Sequence, residues 1–133
     1  MLTPFPDLLT YGLLAPFLLR LALGALFLKA GSKKVRGVAW TNTFFKRMGS
    51  PPARYYTSLL GVIEVTTGLM LVAGFYTQVA SIASAIICAF CWRAKKTHPA
   101  ETPGSSGAFL LMFVISLSLL FSGAGFYAFD WTL

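Results

Sequence analysis

Leu8–Leu28 reads LLTYGLLAPFLLRLALGALFL and Thr57–Phe75 reads TSLLGVIEVTTGLMLVAGF. Each is a long apolar run broken near its middle by one charge, Arg20 in the first and Glu64 in the second. A spanning helix needs about 20 mostly apolar residues to cross about 30 Å of hydrocarbon, and both runs meet that length. A charge near the bilayer centre costs at least about 2.5–3.5 kcal/mol on the insertion scale, so such side chains face the bundle interior with a partner. One Arg and one Glu at similar depth therefore suggest each other.

The rest of the chain agrees with a membrane setting. Of 133 residues, 56% are hydrophobic and only 11% are charged, with a mean hydropathy of +0.72. Soluble domains carry about 25% charged residues. A net charge of +7 could suggest nucleic acid, but every Lys and Arg except Arg20 falls at a helix end or in one of two loops. That is the pattern of membrane topology, with anionic headgroups as the ordinary partners. The first 19 residues contain no Lys or Arg and no A-x-A site follows the first run, so the first segment reads as a retained span and not a cleaved signal.

The expected fold is all-α: an integral membrane four-helix bundle of two helical hairpins, one domain over residues 1–133. The spans are expected over about 8–30, 56–76, 79–96 and 107–129. The third has an apolar stretch of only 14 residues, Val79–Trp92, and needs Arg93–Lys96 to reach full length, their long side chains snorkelling to the headgroups. Seven basic residues fall in Lys29–Arg54 and three more in Arg93–Gly107, while the opposite side has only Asp7 and Asp130. The positive-inside rule then puts both basic loops in the cytoplasm and both termini outside the cytoplasmic membrane. Within the first loop, Trp40, Phe44 and Met48 recur at helical spacing before Gly49 and Pro51-Pro52, which predicts a short interfacial helix. Ala73-Gly74-Phe75-Tyr76 and Ala124-Gly125-Phe126-Tyr127 close the second and fourth runs as a weak internal repeat.

Counting from the basic end puts Arg20 nine residues before Lys29, about 13 Å deep, and Glu64 eight residues after Tyr56, about 12 Å deep. Thr57, Gly61, Glu64 and Gly68 share one helical stripe, and Gly24 and Gly31 share that of Arg20. Small residues let membrane helices approach closely. Pro16, one turn before Arg20, leaves the Gly12 carbonyl unbonded, a freed polarity that Arg20 can take up. The pair reads equally as a packing device and as a polar cavity for a proton, an anion or a quinone headgroup.

Cys88-x-x-Cys91 places two thiols on one helix face. A redox pair is one reading, and two small apolar residues near a reducing compartment the better one. No metal motif accompanies them, since His98 supplies no second ligand pair. His98 itself reads as a solvated loop histidine, and Ser116, Ser118 and Ser122 as hydroxyls bonded to their own helix backbone.

Three groups of residues resemble the DoxX family of small membrane proteins. They are Arg20 with Phe27-x-x-x-Gly31-x-x-Lys34, then Gly49-Ser50-Pro51-Pro52 with Glu64-x-x-x-Gly68-Leu69-Met70-Leu71-x-x-Gly74, and finally Gly123-Ala124-Gly125-Phe126-Tyr127-Ala128-Phe129-Asp130. Gln78 stands where the family often has Arg, and the fourth run lacks the acidic residue some members carry. The resemblance implies a four-helix membrane bundle linked to quinone-dependent redox complexes, such as a thiosulfate:quinone oxidoreductase whose small subunits belong to the family. It also implies Arg20, Lys34, Glu64 and Asp130 as the polar centre, with Lys34 at its inner mouth. The expected role is a small subunit or accessory of such a complex, an enzyme only as part of it. Its partners would be lipid, redox subunits or further copies of itself, with quinone as ligand and no intrinsic cofactor. A small proton-coupled transporter and a purely structural subunit are the competing readings.

Overall fold

The computed structural model describes residues 11–12, 14–37, 40–49, 52–100, 102 and 104–122. They form five helices: α1 (Leu14–Val35), α2 (Trp40–Arg47), α3 (Ala53–Ala73), α4 (Thr77–Thr97) and α5 (Ser106–Ser122). The repeat tetrad at Ala124–Tyr127 and the candidate Asp130 lie outside the described residues.

The long helices pack as two hairpins, α1 on α3 and α4 on α5, which meet through α3 with α4 and α1 with α5. Helix α4 extends through Arg93, Lys95 and Lys96 to Thr97, so the short apolar stretch does gain its last turn from basic residues. Helix α1 starts at Leu14. Pro16 therefore sits in a first turn, where its missing N–H costs nothing, and the expected freed carbonyl inside a helix does not arise.

The α1–α3 hairpin is built on glycine. A Cβ added to Gly31 would stand 2.8 Å from the Gly61 carbonyl oxygen, and one added to Gly68 would stand 2.9 Å from the Gly24 carbonyl oxygen. Backbones this close leave no room for a side chain, the arrangement by which membrane helices gain dispersion contact. Helix α3 ends at Gly74, whose φ of 68° is left-handed. The Phe75 N–H donates to the Met70 carbonyl at 3.0 Å, the helix-ending motif that glycine favours.

Short α2 packs its aromatic side against the basic end of the hairpins. Phe44 meets Phe90 and His98 edge-on, with ring centroids 6.2 Å and 5.4 Å away. Its buried stripe is Thr41 and Phe44. Met48, expected on that stripe, falls beyond the end of the helix and is exposed.

Polarity is distributed inside out. Arg20, Lys34, Thr57, Glu64, Ser81, Ser84 and Ser116 are buried, whereas Leu18, Leu59, Val62, Leu69, Ile82, Ile86, Leu111 and Phe121 are exposed. A continuous apolar exterior is unstable in water and is what a bilayer demands. Helices α1, α3 and α4 are each long and apolar enough to span, and α5 is a shorter apolar helix of 17 residues. The chain is a membrane protein.

Candidate functional site

On α1 the buried stripe runs Arg20, Leu23, Gly24, Phe27, Gly31, Lys34, and on α3 it runs Thr57, Gly61, Glu64, Gly68, Leu71. Both expected charges are thus interior, but the carboxylate's partner is different from the one expected. Lys34 Nζ donates to Glu64 Oε1 as a buried ion pair.

Two geometric facts decide this outcome. Gly24 lies against Gly68 and Gly31 against Gly61, which puts Leu28, not Arg20, level with Glu64. Arg20 is eight residues farther along, about 12 Å by helical rise. Counting depth from Lys29 and Tyr56 failed because α1 continues to Val35 and α3 already begins at Ala53. Side-chain direction then closes the gap to Lys34. Every Cα–Cβ bond leans toward its own helix N-terminus, so in this antiparallel pair Lys34 and Glu64 lean toward each other, and Arg20 leans away from Glu64. Arg20 remains fully buried, its guanidinium carbon 5.4 Å from the Phe17 ring centroid.

The ion pair lies in the wall of a cavity of about 390 Å³. Phe27, Ile87, Phe109 and Met112 give it apolar walls, and Trp40 brings its ring within 5.9 Å of Lys34 Nζ. A cation over an aromatic face is attracted to it, so Lys34 is held from two sides. Glu64 Oε2 is buried with no hydrogen-bond partner among the described residues. One carboxylate oxygen is therefore spent on Lys34 and the other is an unused acceptor.

Cys88 and Cys91 line the same cavity, both as free, buried thiols. Among the described residues no three of His, Cys, Asp and Glu converge as metal ligands. Ser116 donates to the Met112 carbonyl of its own helix at 2.8 Å and also bonds Ser84 across the α4–α5 contact at 2.9 Å. His98 ends α4 with its ring against Phe44. Lys95 ties the following turn by donating to the carbonyls of Pro99 and Thr102.

The model of the DoxX family matches residues 15–95. The chain belongs to the DoxX family. The matched part of this DoxX protein holds Arg20, Lys34, Glu64, Cys88 and Cys91 and ends before α5. No curated protein and no solved structure matches it. Reading the residues in isolation missed Lys34 as the partner of Glu64, and also missed Trp40 as part of the site. A usable signal was there for the lysine: Lys34 follows Gly31 by three and Phe27 by seven, which places it on the Arg20 stripe and separates it from Lys29 and Lys33.

Proposed function

We propose that this DoxX protein is a small membrane subunit that works beside a quinone-linked redox enzyme and receives a quinone head in the Lys34–Glu64 cavity. The observation that carries the reading is the unused Glu64 oxygen beside Lys34, both buried, in a cavity whose other buried and half-buried lining residues are aromatic, aliphatic or thiol-bearing. Its volume of about 390 Å³ falls in the range of small-molecule sites, where a few polar groups orient an apolar ligand. The fit is chemical as well as spatial. An ammonium donates to a quinone carbonyl, and a carboxylate can take up or release the proton that accompanies each electron. The electrons themselves would come from the partner enzyme.

In the same reading four helices span the bilayer, α5 being the fourth, within one domain. The basic segments at Lys29–Arg54 and Arg93–Gly107, helix ends included, face the cytoplasm, and α2 lies in the interface on that side. The sign and clustering of the charges support this orientation. Transport by proton exchange at Glu64 is the weaker reading, because a carboxylate already paired with Lys34 must break that pair in every cycle.

Binding of a short-chain quinone to the purified protein tests the reading. Glu64→Gln and Lys34→Met should each weaken binding about tenfold or more if each removes one charge-assisted contact. Affinity that is unchanged in folded variants would sink it.

A further inference from the structure

The described residues contain a single acidic side chain, Glu64, and Lys34 takes it. Two other lysines, Lys29 and Lys33, also line the cavity. Both are exposed, and neither meets a carboxylate among the described residues. They stand four residues apart on α1, about 6 Å by helical rise and on one face. Like charges at this spacing repel and weaken a helix unless an anion comes between them.

The surroundings specify what kind of anion. The exposed residues of the cavity lining are Leu26, Lys29, Ala30 and Lys33, all on α1, and half-buried Phe109 and Met112 of α5 line the same cavity. The mouth is thus a groove between two apolar helices with two ammonium groups at one end. A soluble anion would use the lysines and leave the apolar walls without a partner. A molecule with an anionic head and a hydrocarbon tail uses both.

We propose that the α1–α5 mouth is a seat for an anionic phospholipid. Its phosphate sits between Lys29 and Lys33, and an acyl chain lies along Leu26, Phe109 and Met112. Basic pockets between membrane helices bind such heads in this way. The lipid closes the open side of the cavity and leaves the Lys34–Glu64 end to whatever ligand enters there. The inference does not depend on that ligand being a quinone.

Thermal unfolding of the full chain in neutral detergent, with added phosphatidylglycerol, phosphatidylcholine or inorganic phosphate, tests the seat. Phosphatidylglycerol should raise the midpoint by several degrees, and the other two should not. The double variant Lys29→Gln/Lys33→Gln should lose most of that shift. Arg36→Gln/Arg54→Gln removes the same charge from exposed positions outside the cavity and should keep it. The shift should also survive in Lys29→Arg/Lys33→Arg, a variant that guards against misreading a folding defect. Equal losses in the two Gln doubles mean only diffuse attraction between a basic surface and anionic lipid, and overturn the proposal. An equal shift with phosphatidylcholine or with phosphate overturns it as well.

Discussion

Lys34 and Glu64 reach each other from antiparallel helices although they are not level with one another. The glycine contacts set Leu28 opposite Glu64, and Lys34 lies six residues beyond it, about 9 Å by rise. The lysine stem covers that distance because both Cβ atoms lean inward along the shared axis. A long basic side chain near a helix end ordinarily snorkels toward water. Here it is turned back into the bundle and buried, with side-chain exposure of 5%, and its partner shows 3%.

The first prediction concerns that burial. Removing one member leaves the other as an uncompensated interior charge, a loss of about 3–5 kcal/mol, whereas apolar replacement of both is close to neutral. Glu64→Leu and Lys34→Met should each lower the denaturant midpoint strongly. The double variant should unfold near the wild-type midpoint. A double variant as unstable as the worse single would show that the pair contributes more than mutual neutralisation.

A second prediction follows from the helix crossing. Gly31→Ala forces a Cβ to within 2.8 Å of the Gly61 oxygen and of the Val65 nitrogen, both of which are backbone. Overpacking of this kind costs about 1–3 kcal/mol. Gly107→Ala, whose new Cβ meets only Ser105 Oγ at 4.0 Å, should be neutral or slightly stabilising as a helix substitution. Similar midpoints for the two variants would contradict the close α1–α3 contact.

These two features also mark how much of the fold the sequence carries by itself. The stripe Thr57, Gly61, Glu64, Gly68 is interior as its spacing implies, because a period of 3.6 fixes which side chains share a face. The inside-out polarity was equally legible. Register was not. The first basic residue, Lys29, does not mark the helix end, and the glycines that set the true register carry no label of which glycine faces which. The cavity was out of reach for a related reason: Cys88, Phe109 and Trp40 come together through contacts between helices, which no periodicity within one helix encodes.

The third prediction uses the thiols as reporters. Cys88 and Cys91 are only 2% and 5% exposed, so a small thiol reagent should modify them slowly in the folded protein. A ligand lodged beside Glu64 would cover them further. Short-chain quinone at a concentration near its wild-type Kd should slow modification clearly in wild type and by much less in Glu64→Gln, whose weaker binding leaves the site mostly empty there. Modification at the same rate with and without quinone would mean that the ligand binds elsewhere or not at all.

The last prediction separates the two buried cations. Energetic effects of substitutions more than about 7–10 Å apart add within about 0.3–0.5 kcal/mol, while contacting charges couple more strongly. Arg20 lies about 12 Å along the axis from the level of Glu64 and leans the other way, whereas Lys34 bonds its carboxylate directly. A double-mutant cycle of Arg20→Leu with Glu64→Gln should therefore close near zero. The matching cycle of Lys34→Met with Glu64→Gln should show a coupling of about 1–3 kcal/mol. Midpoints of unfolding in mixed detergent, measured on all five variants and wild type, give both cycles from one experiment. Coupling of Arg20 to Glu64 as large as that of Lys34 would restore the pairing expected from depth alone. It would also require a different α1–α3 register, in which Gly31→Ala should no longer be costly.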